Sequence, residues 1–133
     1  MLVYLIDEDD ISLYLTEQTL ILEDFAQQIR AFSTAEEALA ALVAQLASHP
    51  PQVIFLDLNM PVMDGWEFLA ALEPYAAQVL SQCRIYLLTS SLALADTARA
   101  NTHQLVSGII HKPLDEGDLR AIRATLAPNP ALS

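Results

Sequence analysis

The sequence predicts an α/β fold: a doubly wound, five-stranded parallel sheet with helices on both faces. Three observations lead there. The apolar runs at residues 2–6, 53–56, 85–88 and 105–110 are continuous and do not alternate, as in strands covered on both sides. Segments with helical apolar spacing separate them. The runs stop on acids, a hydroxyl or an ammonium followed by turn residues, so polar groups collect where strands end.

Leu2 to Ile6 form the first strand, and the acidic cluster Asp7-Glu8-Asp9-Asp10 ends it. Asp9 and Asp10 suit the first turn of a helix, where the backbone dipole favours negative charge. In that helix Ile11, Tyr14, Leu15 and Leu22 share one face. Gln28 to Phe32 is shorter of apolar residues and alternates, as an edge strand does. Ser33-Thr34-Ala35-Glu36-Glu37 opens the second helix, since either hydroxyl can cap it with a Glu three residues on. Ala38, Leu39, Leu42, Val43 and Leu46 continue its inner stripe.

The third strand ends at Asp57, and Asp64-Gly65-Trp66-Glu67 caps the next helix. Pro74 restarts the chain as a short helix to Gln82, because proline is tolerated in a first turn. After the fourth strand, residues 94–102 form a short, weakly apolar helix. The last helix runs from about Asp115 to Leu126, with Leu119, Ile122 and Leu126 inward. Residues 1–127 thus make one domain, and 128–133, with two prolines, a short frayed tail.

At 133 residues and 53% hydrophobic, the chain has the length and composition for one well-filled core. No apolar stretch approaches the ~20 residues that span a bilayer. The start lacks the basic region and cleavage site of a signal peptide. One cysteine, Cys83, allows no internal disulfide, fits a reducing compartment and reads as a core thiol. Six basic residues against 17 acidic ones, with no basic run, leave no footprint for nucleic acid. His49, His103 and His111 read as surface or turn residues.

In a doubly wound sheet the ligand sits outside the carboxyl ends of the strands. The acidic cluster, Asp57, Thr89 and Lys112 all fall there, so they should meet in one crevice. Lys112 is the only lysine of a chain with net charge −11. Its place at a strand mouth makes sense if it faces carboxylates and a phosphoryl group. Clustered carboxylates call for a hard cation, and Mg²⁺ suits a site that also leaves room for phosphate oxygens. A carboxylate can act as nucleophile on phosphorus, with a lysine and a hydroxyl stabilising the equatorial oxygens.

The chain resembles the receiver domain of two-component response regulators over essentially its whole length. The resemblance rests on Leu5-Ile6-Asp7-Glu8-Asp9, Phe55 through Gly65, Leu88-Thr89-Ser90-Ser91 and His111-Lys112-Pro113, each at a strand end and in order. It implies a flavodoxin-like (βα)5 fold with strand order 2-1-3-4-5. It implies a stand-alone, cytoplasmic phosphoprotein of a two-component phosphorelay, acting in signal transduction. Asp57 would be the phosphoacceptor. Mg²⁺ would be held by Asp7, Glu8, Asp57 and the backbone carbonyl of Asn59. Lys112, with a cis bond to Pro113, would contact the phosphoryl oxygen, and Thr89 would be the switch hydroxyl. The partners implied are a sensor histidine kinase or a histidine phosphotransfer protein. A downstream protein target would bind the face made by the helix at 94–102, the fifth strand and the last helix, with no nucleic acid and no membrane involved.

Two positions depart from the commonest pattern of that family. Glu8 stands where aspartate is usual, and Ile109 where an aromatic switch residue is frequent. A receiver-fold module that works without phosphate is therefore an alternative. A second alternative is a hydrolase with an aspartyl nucleophile, which needs an acid two residues after it; Asn59 cannot exchange that proton. In the leading reading the protein is not an enzyme but assists its own phosphorylation and dephosphorylation.

Overall fold

The computed structural model describes residues 1–90 and 93–126. Five parallel strands form one sheet in the order β2-β1-β3-β4-β5: β1 Leu2–Ile6, β2 Gln28–Phe32, β3 Val53–Asp57, β4 Arg84–Thr89 and β5 Val106–His111. The helices are α1 Asp10–Leu22, α2 Ala35–Gln45, α3 Gly65–Ala71, α4 Ala76–Gln82, α5 Leu94–Thr102 and α6 Glu116–Leu126. The expected doubly wound sheet and its strand order are both present. The short helix expected from Pro74 is divided: Glu73–Tyr75 is a 3₁₀ turn with the proline in its first turn, and α4 follows it.

Two apolar layers cover the sheet. Leu2, Tyr4, Ile6, Ile54, Leu56, Ile85 and Leu87 face residues of α2, α3, α4 and α5, among them Leu42, Phe68, Val79 and Ala100. Val3, Leu5, Val53, Phe55, Tyr86, Leu88 and Ile110 face Leu20 of α1 and Leu119 and Ile122 of α6. Side chains alternate between these faces along each strand. Continuing the alternation past the strand ends puts Asp7, Asp57 and Lys112 all on the α1/α6 side. The period of two thus brings three distant residues to one place before any contact is considered.

The helix starts are made by side chains. Asp9 caps α1, its Oδ1 accepting from the N–H groups of Ile11 and Ser12. Of the two hydroxyls available to α2, Thr34 is the cap, accepting from Glu37 N–H at 3.2 Å. Asp64 and Glu67 form a reciprocal capping box at α3.

Ile11, Tyr14, Leu15 and Leu22 do share a face of α1, and that face is the exposed one. Ile21 joins them. Leu20 is fully buried on the opposite side, with Leu13 packed beside its cluster and Thr16 buried. The helix is apolar on two sides and only one fits the sheet. No helix among the described residues is long and apolar enough to cross a membrane. The tail at 128–133, expected to fray, and Ser91 lie outside the described residues.

Candidate functional site

Three backbone hydrogen bonds stitch neighbouring strand ends together: β1 to β2, β3 to β4 and β5 to β4. Asp7 N–H donates to Phe32 O, Leu58 N–H to Leu88 O and Lys112 N–H to Thr89 O, at 3.1, 3.3 and 2.9 Å. Within this frame Asp7, Asp57 and Thr89 are buried. Lys112 reaches in between the two carboxylates. Its Nζ lies 2.7 Å from Asp7 Oδ2 and 3.4 Å from Asp57 Oδ1. Asp7 Oδ1 accepts the Asp9 N–H at 2.9 Å, so the acid that receives the lysine also fixes the turn into α1. The Lys112–Pro113 peptide is cis.

The electrostatics follow from two buried acids sharing one ammonium. Burial, and then the charge of Asp7, push the Asp57 carboxyl up to about 6; Lys112 opposes both and does not cancel them. For Lys112, burial acts to lower the pKa, but the hydrogen bond to Asp7 and the charges of Asp57 and Asp7 outweigh it. Its pKa is raised and it stays charged. Asp57 is therefore a carboxylate held in an unfavourable ionised state, short of positive charge. Cys83, by contrast, is an inert core thiol, its pKa pushed up to about 11 by burial.

The residues expected at the site are not all equally close. Asp7, Asp57 and Lys112 converge. Thr89 ends the adjacent strand, paired in register with His111, one residue beyond the Asp57–Leu88 pair. Glu8 and Asn59 are exposed at the rim. Among the described residues no cluster of three or more His, Cys, Asp or Glu side chains is gathered into a metal cage. His49 is exposed and His111 lies on the surface. His103, expected at the surface or in a turn, is half-buried where α5 ends and the turn to β5 begins, its Nδ1 accepting the Leu105 N–H at 3.2 Å.

Gly65 is required by close approach. A Cβ there would lie 2.9 Å from Asp57 O and 3.0 Å from Leu58 Cα, both backbone atoms with little room to give. The Gly65 N–H also donates to Leu58 O at 3.0 Å. Helix α3 is thereby pressed against the strand end that carries Asp57. Gly65→Ala should cost about 1–3 kcal/mol, as overpacking does. Urea unfolding reads this directly, and an unchanged midpoint would show that the loop relaxes freely.

Sequence reasoning missed a groove of about 340 Å³ beside the site, lined by Asp9, Ile11, Ser12, Leu15, Thr16 and Thr19 of the α1 segment and by Lys112, Pro113 and Leu114. The signal was present: α1 carries more apolar residues than one buried face can use.

The comparisons with known proteins agree with this geometry. No curated protein matches the chain. Among solved structures, a two-component response regulator from Cytophaga hutchinsonii is 27% identical, with a TM-score of 0.88 over 94% of this chain and 95% of that one. A response regulator receiver protein from Dyadobacter fermentans is 26% identical, with a TM-score of 0.87 over 97% and 99%. The Vibrio cholerae chemotaxis protein CheY4 is 25% identical, with a TM-score of 0.71 over 95% and 98%. Residues 3–123 match the family described as response regulator receiver domain. The order of the strands, the acids and lysine at their ends and this match lead to one statement: the chain belongs to the response regulator receiver domain family.

Proposed function

We propose that Asp57 accepts a phosphoryl group from a phosphohistidine and that the protein signals by phosphorylation-controlled binding. The observation that carries this reading is Lys112, the only lysine, set between two buried carboxylates. A carboxylate oxygen of Asp57 attacks phosphorus; the new O–P bond forms as the N–P bond of the donor breaks, and the donor imidazole leaves. Lys112 then turns from the carboxylates towards a phosphoryl oxygen, and Thr89 offers its hydroxyl to another. There is no turnover of an external substrate, so the product is a modified protein.

The donor set fits Mg²⁺. Asp7 and Asp57 are hard oxygen ligands whose mutual repulsion is incompletely relieved by Lys112. Asp7, Asp57 and the Asn59 carbonyl would hold the ion, with Glu8 at the rim, directly or through water. When bound, Mg²⁺ supplies positive charge to both the carboxylates and the phosphoryl oxygens.

The donor is a sensor histidine kinase or a histidine phosphotransfer protein, met in the cytoplasm, where a lone cysteine stays reduced. The exposed ridge Ile11-Tyr14-Leu15 and the groove running from it to Lys112 give such a protein an apolar seat at the mouth of the site. The downstream target takes the face of α5, β5 and α6. Nothing basic on the chain suggests nucleic acid.

Incubation with acetyl phosphate and Mg²⁺, followed by intact mass and peptide mapping, tests the reading. One phosphoryl group on Asp57 is expected; no uptake, or a label on a serine, would refute it. A second variant separates docking from chemistry. Leu15→Glu should slow transfer from a phosphohistidine protein about tenfold or more, the equivalent of ~1.4 kcal/mol at the interface. Labelling by acetyl phosphate should not change. Equal slowing with both donors would place Leu15 in the chemical site and remove the docking argument.

A further inference from the structure

We infer that the Arg99–Trp66 stack is the conformational relay of this chain. It holds α5 against α3 at rest, and phosphorylation of Asp57 reaches α5 by releasing it. The inference rests on the phosphoacceptor reading above and adds the path by which that site is read.

Beyond its packing on β5, helix α5 has little apolar burial to hold it. Ala100 is its one buried residue, a single methyl group. Leu94, its first residue, is 85% exposed. A helix with so little apolar burial takes its position from a few specific contacts. Those contacts converge on α3 and the turn after it. The Arg99 guanidinium carbon lies 4.2 Å from the centre of the Trp66 ring. The His103 ring, at the end of α5, lies 6.3 Å from the same indole. His103 Nε2 is 3.9 Å from Glu73 Oε1, and Gln104 Nε2 donates to Glu73 Oε2 at 3.0 Å. Trp66 is half-buried and Arg99 exposed, so the stack can part without opening the core.

The two halves of the stack are carried by α3, which follows β3, and by α5, which follows its neighbour β4. Trp66 follows Gly65, which is packed on the Asp57 carbonyl, so the indole is carried by the end of β3. Arg99 is carried by α5, which follows β4 in the chain, and β3 and β4 are paired at Asp57 and Leu88. A group added to Asp57 that draws on Thr89 changes the spacing between α3 and α5. A cation–ring attraction is confined to about 6 Å from the ring centre, so a small displacement suffices to lose it. On this face of the sheet β5 contributes Ile109 and no ring. Trp66 is the aromatic side chain placed to respond.

The chain has one tryptophan, so its fluorescence reports on Trp66 and its two neighbours, Arg99 and His103. Intact protein is labelled with acetyl phosphate and Mg²⁺, with uptake followed by mass, emission followed in parallel, and amide exchange measured over residues 94–102. Emission should change with the same time course as uptake. Arg99→Gln should take up label normally, yet at rest show the emission of the phosphorylated wild type. Its α5 amides should exchange about two- to fivefold faster, the range a surface cation–ring contact supplies. Arg99→Lys should recover part of the difference. Unchanged emission in fully labelled protein, or identical α5 exchange in Arg99→Gln and wild type, overturns the inference. Failure to take up label strikes the phosphoacceptor reading itself and the relay with it. That result differs from uptake without an emission change, which strikes the relay alone.

Discussion

Asp57→Asn will be more stable than the wild type when both are unfolded without divalent metal at pH 7. Burial and Asp7 hold the Asp57 carboxyl at about 6, against 3.8 for an ordinary aspartate. A folded-state pKa raised above the unfolded one means that the native protein binds more protons. Stability from this group is therefore present below pH 4 and is lost as pH rises towards 6. The asparagine variant escapes that loss. A difference of about two pKa units corresponds to about 3 kcal/mol at most, or roughly 10 °C in thermal midpoint for a domain of this size. The gap should narrow sharply towards pH 4 and close below it, where wild-type Asp57 becomes protonated in both states. Equal midpoints at pH 7, or a gap that persists unchanged to pH 4, would show that Asp57 is not under strain.

Lys112→Ala will be destabilised by about 3–5 kcal/mol at pH 8 without metal, the cost of removing one partner from a buried ion pair. The lysine is shared by Asp7 and Asp57, so its loss leaves two carboxylates facing each other with no cation. Asp57 then moves further up in pKa, and protonating it becomes the relief available. The deficit should shrink towards pH 5, and Lys112→Ala combined with Asp57→Asn should recover most of the loss. The ammonium thus acts on stability apart from its part in the proposed phosphoryl transfer, so stability and labelling of Lys112 variants are to be measured together. A deficit independent of pH and untouched by the second substitution would mean that Lys112 supports the fold through packing and not through charge.

The parts of this molecule legible in the sequence are those with a strict geometric period. Runs such as Val53-Ile54-Phe55-Leu56 have no polar side, so they had to be central strands, and all four residues are buried. Asp57 and Lys112 stand where such runs stop, and in a parallel sheet those stops share one edge. Asp9 and Asp64 were legible as caps because capping is local. What stayed hidden depends on neighbours far away in the chain. Leu13 and Leu20 compete with Ile11 and Leu15 for the inner side of α1, and only the shape of the sheet decides between them. Trp66 could be read as packing, but nothing local says that Arg99 lies on its ring. Glu8 follows Asp7 directly, and adjacent residues point apart; that spacing explains why one is buried and the other exposed.

The site is completed by a residue far downstream of its partners. Asp7 and Asp57 leave the ribosome well before Lys112, which reaches Asp7 across 105 positions of sequence and follows β5, an edge strand with a single neighbour. A nascent or partly folded chain can already display Asp7 and Asp57 while lacking the ammonium that lies between them. Edge strands are also among the first parts of a sheet to open. On the reading proposed above, competence to accept a phosphoryl group requires β5 to be in place, since Lys112 follows it. On that reading a copy in which β5 has opened cannot accept the signal, with no separate inspection of its fold.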